Sequence, residues 1–173
     1  MTGKRINRVF QTKLSAPPKQ VFPLLCPLRE YEWIPQWQCE IIYSESGGAE
    51  LGCVFSTKFD EEYGKEVWVV SHYEPDSNIT FVRIGPVRST RYQVELQPQG
   101  SGSIISWRQE ISSLNDQGTP LLEAYSQVKF SAIMEPLNKM LEHYLQHGTA
   151  LDVDLSNVYG SRSKGKANET HRR

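Results

Sequence analysis

From Arg5 to Ser113 apolar and polar residues alternate in short runs, and after Thr119 the apolar spacing lengthens to that of a helix. The runs are RINRVFQTKL, then CEIIYSE and GCVFSTKF around a Gly47-Gly48 turn, then EVWVVSHY, ITFVRI, STRYQVELQ and SIISWRQEIS. Each is rich in β-branched or aromatic residues, and each is bounded by turn chemistry: DEEYGK, EPDSN, GPVR, PQGSG and SLNDQGTP. Between the first and second runs, Pro18 to Leu25 predicts a short helix that Cys26 and Pro27 end. Leu28 to Trp33 predicts a second, ended by Pro35. Seven strands joined by short turns predict an antiparallel meander. After the first strand, no strand is followed by a helix and another strand, so a parallel, doubly wound sheet is not expected.

The stretch Thr119 to Gly148 predicts one long helix, with Thr119 as N-cap, Pro120 at the first helical position and Gly148 as the stop after His143 and His147. From Pro120 to His147 it would extend about 42 Å at about 1.5 Å per residue. At about 100° per residue, Phe130, Ile133, Met134, Leu137, Met140, Leu141, Tyr144 and Leu145 share one stripe. Leu121, Leu122, Tyr125 and Val128 point elsewhere. Pro136 removes an amide donor, so a kink or offset is expected near residues 130 to 136. The C-terminal half is expected to pack on the sheet, leaving the N-terminal half freer to line an opening.

Composition narrows the function. The net charge is −1, with no global pull towards nucleic acid or anionic membrane. Residues 149–173 hold five Lys or Arg against three acids. They predict a polar, basic, disordered tail after a single domain of residues 1–148. Three cysteines, Cys26, Cys39 and Cys53, cannot all pair within the chain, no CxxC occurs, and reduced thiols in a cytoplasmic protein are the simpler reading. The N-terminus lacks the apolar core of a secretory signal, and no window of eighteen apolar residues exists to span a membrane. The four histidines are scattered, so no metal is expected. No GxSxG, P-loop, Rossmann or HExxH pattern occurs, and no cofactor is expected.

One strand, two small helices, six strands and a long terminal helix, with the segments APPKQVFPLL, YEPDSNITF and CPLREYEWI, resemble the helix-grip fold of the SRPBCC superfamily. That superfamily includes START lipid-transfer domains, birch-pollen-allergen-like proteins, and polyketide cyclases and aromatases. CPLREYEWI resembles an uncharacterised bacterial subgroup. The resemblance covers about residues 5 to 147. It implies an α+β fold in which a curved seven-stranded sheet grips the C-terminal helix around a hydrophobic cavity. Space between such layers is where small ligands bind.

Alternation then nominates the lining. Phe55, Trp68, Phe81, Tyr92, Trp107, Gln109, Tyr125 and Met134 are the expected ligand contacts; Gln109 is the polar member of an otherwise apolar face, and a buried amide needs a partner. Arg91, Arg108 and Glu110 would then form outer-face pairs. Arg83 either faces inward, where it could fix a carboxylate or enolate, or sits at the rim with Glu61 or Glu62. His72 is inside only if it shares the face of Trp68 and Val70, and it would then be a general-base candidate. Trp33 and Trp37, flanking Pro35, either rim the mouth or plug the open end.

Three functions stay open. The first is binding of a small hydrophobic ligand such as a lipid, polyketide or aromatic metabolite. The second is a cyclase, aromatase or hydratase using His72, Arg83 and Gln109. The third is an interaction module presenting Trp33 and Trp37. The sequence leaves ligand identity, catalysis and oligomeric state undetermined.

Overall fold

The computed structural model describes residues 3–153, so most of the expected basic tail lies outside the described residues. Strand β1 (Arg5–Leu14) is followed by the single helical turn α1 (Pro18–Val21) and two 3-10 turns, Phe22–Leu25 and Glu30–Glu32. Then come β2 (Glu40–Tyr43), β3 (Val54–Thr57), β4 (Glu66–Glu74), β5 (Asn78–Ile84), β6 (Arg88–Gln99) and β7 (Gly102–Ser113). Helices α2 (Gly118–Ala124) and α3 (Gln127–His147) close the described chain.

All strand pairs are antiparallel, in the order β1-β7-β6-β5-β4-β3-β2. Since β1 and β2 lie on opposite edges, the segment between them must travel across the end of the sheet. Prolines keep it irregular. The helix expected over Leu28 to Trp33 shrinks to the 3-10 turn Glu30–Glu32, because too few residues remain between Pro27 and Pro35 to repay the cost of starting an α-helix.

The one long helix expected from Pro120 to His147 is two helices, and the break falls at Tyr125 and Ser126 rather than at residues 130 to 136. The cause is a cap. Ser126 is extended (φ −70°, ψ 164°) and its hydroxyl accepts from Lys129 N at 3.1 Å, starting a new helix. Edge strand β1 holds the break from the side. Arg8 donates to the Tyr125 carbonyl through Nε at 2.7 Å and also through Nη2, while Gln127 Nε2 donates to Val9 O at 2.8 Å. Pro136 lies inside α3, which continues through it. Thr119 is not the N-cap; α2 starts at Gly118, whose N–H is accepted by Asn115 Oδ1, and a side chain at 118 would meet Val87 O at 2.1 Å. Gly148 ends α3 as expected, at φ 68°, donating to Tyr144 O.

The apolar stripe of α3 faces the core: Phe130, Met134, Met140 and Leu141 are buried, and Ile133, Leu137, Tyr144 and Leu145 pack against them. Val128 is 79% exposed. Leu151 and Val153 return to the core, and Gln36 Nε2 donates to Val153 O, so packing extends past the boundary expected at Gly148.

Candidate functional site

Along the central strands the buried side chains fall at one parity, apart from Thr80 on β5, and together they make the concave face. They are Glu66, Trp68 and Val70 on β4, Ile79, Phe81 and Arg83 on β5, Arg88 to Leu96 at every second position on β6, and Ser103 to Ser113 on β7. Register divides this face into two ends. Towards α3, Ile79 lies opposite Val94, Val94 opposite Trp107, and Leu96 opposite Ile105. Towards the α2–α3 junction, Arg83 lies opposite Thr90, and Tyr92 opposite Gln109.

The first end is apolar, and its few polar atoms are bonded. Trp107 Nε1 donates to Asn138 Oδ1 at 3.0 Å, and Asn138 Nδ2 donates to Met134 O at 2.7 Å. The Tyr92 hydroxyl, at the boundary, reaches Met134 Sδ at 3.7 Å.

The second end holds a buried charge cluster. Arg88 grips Glu66 with two hydrogen bonds, Nε to Oε1 at 2.8 Å and Nη2 to Oε2 at 3.0 Å, and its guanidinium stacks 3.6 Å from the Tyr63 ring centroid. Both Glu66 oxygens are thereby engaged. Arg83 comes only to 3.6 Å from Glu66 Oε2, beyond hydrogen-bond length, and lies 4.6 Å over Trp68. Two guanidiniums thus share one carboxylate, the buried acid among the described residues, and the cluster carries one uncompensated positive charge.

Burial pushes the Glu66 carboxyl up, but Arg83 and Arg88 outweigh it and hold the group below its ordinary value. Burial and the neighbouring Arg88 lower the Arg83 guanidinium against the pull of Glu66. Tyr125, above this end, is raised by burial, with Arg83 and Arg88 opposing, so its hydroxyl stays protonated at neutral pH.

Three atoms here have no hydrogen-bond partner among the described residues: Arg83 Nε, Thr90 Oγ1 and Gln109 Oε1. They come from the neighbouring strands β5, β6 and β7. Thr90 is 0% exposed and Gln109 5%.

The structure brings together every residue nominated for the lining. Phe55, Trp68, Phe81, Tyr92, Trp107, Gln109, Tyr125 and Met134 are all buried. The rings pack on one another, with Phe55 stacked 5.3 Å from Trp68, Trp68 edge-on 5.7 Å from Phe81, and Tyr92 at 6.1 Å from both Trp68 and Trp107. Arg83 faces inward; its carboxylate is Glu66, not Glu61 or Glu62.

His72 is not in this site. A bulge between Val70 and His72 adds one residue, so His72 turns to the opposite face, 55% exposed and 3.7 Å from Glu74. There it borders an open groove of about 400 Å³ with Ser71, Asn78, Thr80, Arg91 and Gln93. Arg91 pairs with Glu110 at 3.3 Å on that face, as the alternation predicts.

Trp33 is fully buried, donating from Nε1 to Leu24 O, and half-buried Trp37 donates to Pro27 O and packs on Phe59. Trp33 is therefore a core residue and Trp37 is only partly exposed, so docking through exposed Trp33 and Trp37 is corrected. The three thiols are unpaired, and burial raises Cys39 and Cys53, which suits structural roles. Among the described residues no group of His, Cys, Asp or Glu could hold a metal, and no helix is long and apolar enough to cross a membrane.

Sequence reasoning missed Glu66, Arg88, Thr90, Arg8 and Asn138. The signal was present. Carrying the parity of Trp68 back to Glu66, and of Tyr92 back to Thr90 and Arg88, places all three on the concave face.

No protein-family model and no curated protein matches the sequence. Solved structures do. Ara h 8.0201 is 16% identical with a TM-score of 0.59, over 83% of this chain and 99% of that one. DynU16, a protein in the dynemicin biosynthetic locus, is 16% identical with a TM-score of 0.57, over 83% of this chain and 48% of that one, so the present chain spans about half its length. Protein CV1439 from Chromobacterium violaceum is 19% identical with a TM-score of 0.56, over 82% and 97% of the two chains. At these identities the shared property is the fold.

Proposed function

We propose, from the premise that this chain has the helix-grip fold of the SRPBCC superfamily, that it binds a small hydrophobic molecule between the concave face and the C-terminal helix. The observation that carries this reading is an aromatic interior holding buried polar atoms that no described protein group bonds. A purely structural core leaves few such atoms, because each one costs about 1–3 kcal/mol. The ligand lies against Trp68, Phe81, Tyr92 and Trp107, beneath Tyr125 and Met134. Its way in is under α2, a seven-residue helix too short to persist without its contacts and anchored by Lys4–Glu123 and by Thr119 donating to Ser113 Oγ.

The test is a titration with flavonoids, fatty acids and polyketides, following the indole N–H resonances of Trp68 and Trp107 by NMR. Binding in the interior moves both, because Trp68 Nε1 is bonded to Thr57 and Trp107 Nε1 to Asn138 within it. A panel that moves neither removes the proposal.

A catalytic role in the same interior is the second reading. It is favoured by Arg83 beside Thr90, donors that would stabilise an enolate as it forms. Turnover of a poly-β-keto substrate, lost in Arg83→Gln while ligand binding is kept, would establish it over simple carriage.

A further inference from the structure

The polar atoms left over at the α2–α3 end of the concave face define a ligand by what they lack. Arg83 Nε can only donate, and it belongs to a cluster with one surplus positive charge. Thr90 Oγ1 donates or accepts, and it sits directly opposite Arg83 on the adjoining strand. Gln109 Oε1 can only accept. It stands one strand further on, opposite Tyr92 and diagonal to Thr90. An oxyanion satisfies the first two groups and neutralises the cluster. A hydroxyl satisfies the third. With strands about 4.8 Å apart, β5 to β7 spans roughly 10 Å, so the anion and the hydroxyl belong at opposite ends of a ring system. The surroundings, Trp68, Phe81 and Tyr92, suit an aromatic one.

We infer that the ligand is a hydroxylated aromatic acid, its carboxylate held by Arg83 and Thr90 and its hydroxyl donating to Gln109 Oε1. This rests on the ligand-binding reading above and adds the chemical class. The charge balance closes when it binds. One carboxylate brings two guanidiniums and Glu66 to neutrality, so the acid is preferred over its ester by more than a surface contact would give.

The experiment is calorimetric titration of the full chain with 6-hydroxy-2-naphthoate, 2-naphthoate and methyl 6-hydroxy-2-naphthoate. The hydroxy acid should bind about tenfold or more tighter than its methyl ester, the size of one charge-assisted hydrogen bond. Arg83→Gln should abolish that preference. Thr90→Val should weaken acid binding without lowering the melting temperature, because the hydroxyl it removes has no partner to lose. Gln109→Leu should erase the advantage of the hydroxy acid over 2-naphthoate and leave the acid-over-ester preference intact. Equal affinity for acid and ester would overturn the inference while leaving a hydrophobic site standing. Equal affinity for hydroxy acid and 2-naphthoate would overturn the role of Gln109. If none of the three compounds binds, the inference is overturned, while the broader ligand-binding reading stands or falls with the flavonoid, fatty-acid and polyketide titration.

Discussion

Beneath α3, Trp107 and Asn138 bond each other and the helix backbone, and hydrophobic side chains fill the space around them. Beneath the α2–α3 junction, a few ångströms along the same strands, Arg83, Thr90 and Gln109 keep unbonded atoms beside a surplus charge. Both ends are buried, so solvent does not explain the difference. The α3 end satisfies its own polar groups and behaves as a core. The junction end leaves three polar atoms that no described protein group bonds, and these are the atoms the proposed ligand would satisfy. A polar group that finds its partner stabilises the fold, and one that does not costs free energy until something bonds it.

Substitutions at the two ends should separate these roles. The largest effect is expected from Glu66→Gln, which leaves Arg83 and Arg88 buried without a counter-charge and should cost about 3–5 kcal/mol in a urea unfolding series. A loss under about 1 kcal/mol would mean that the cluster is hydrated, not buried. Asn138→Leu keeps volume at the α3 end but strands the Trp107 indole, and should cost about 2 kcal/mol by the same measurement. Ser126→Ala removes the cap that creates the boundary between the two ends. It should cost about 1 kcal/mol and raise amide exchange at residues 127–130.

A smaller effect, with a definite sign in pH, belongs to Glu32. Its hydrogen bond from Arg29, and then that from Tyr144 at 2.5 Å, hold its carboxyl down at about 2. A depressed carboxyl contributes stability above its unfolded value of 4.5 and loses it as pH falls towards about 2. Glu32→Gln should flatten the acid limb of the stability curve in that window, by only about 0.5 kcal/mol because the Arg29 pair is well exposed. The smallest change is the most telling. Thr90→Val, fully buried, should leave the unfolding midpoint unchanged or raised, whereas a clear loss would show that Thr90 has a structural partner and erase the contrast between the ends.

Much of the fold was legible in the residues. Alternation with period two and turn chemistry at each junction located seven strands, and the stripe from Phe130 to Leu145 located the packing helix. Where local signals competed, reading failed. Pro136 was the louder helix-breaking cue and Ser126 the quieter one, yet the break follows Ser126 because Arg8 and Gln127 bind the chain there to an edge strand far away in sequence. For His72, alternation left both faces open, and one bulged residue put it on the outer one although Trp68 and Val70 face inward. Phe55, Trp68, Phe81, Tyr92 and Trp107 were legible as buried strand residues because they are apolar at the buried parity. Glu66 and Arg88 were not, since charged residues at strand ends read as solvent-facing until a second strand shows what they pair with.

The order of elements, the parity of the concave face and the closing glycine of α3 are properties of neighbouring residues, set by backbone sterics and by burial of one face, and a single chain read from left to right contains them. Which polar groups find partners is not local. Glu66 and Arg88 are 22 positions apart, and Arg8 meets Tyr125 across 117. Whether Arg83, Thr90 and Gln109 are satisfied depends on distances that exist only after β5, β6 and β7 are registered side by side. The tertiary structure alone decided that these three are left over.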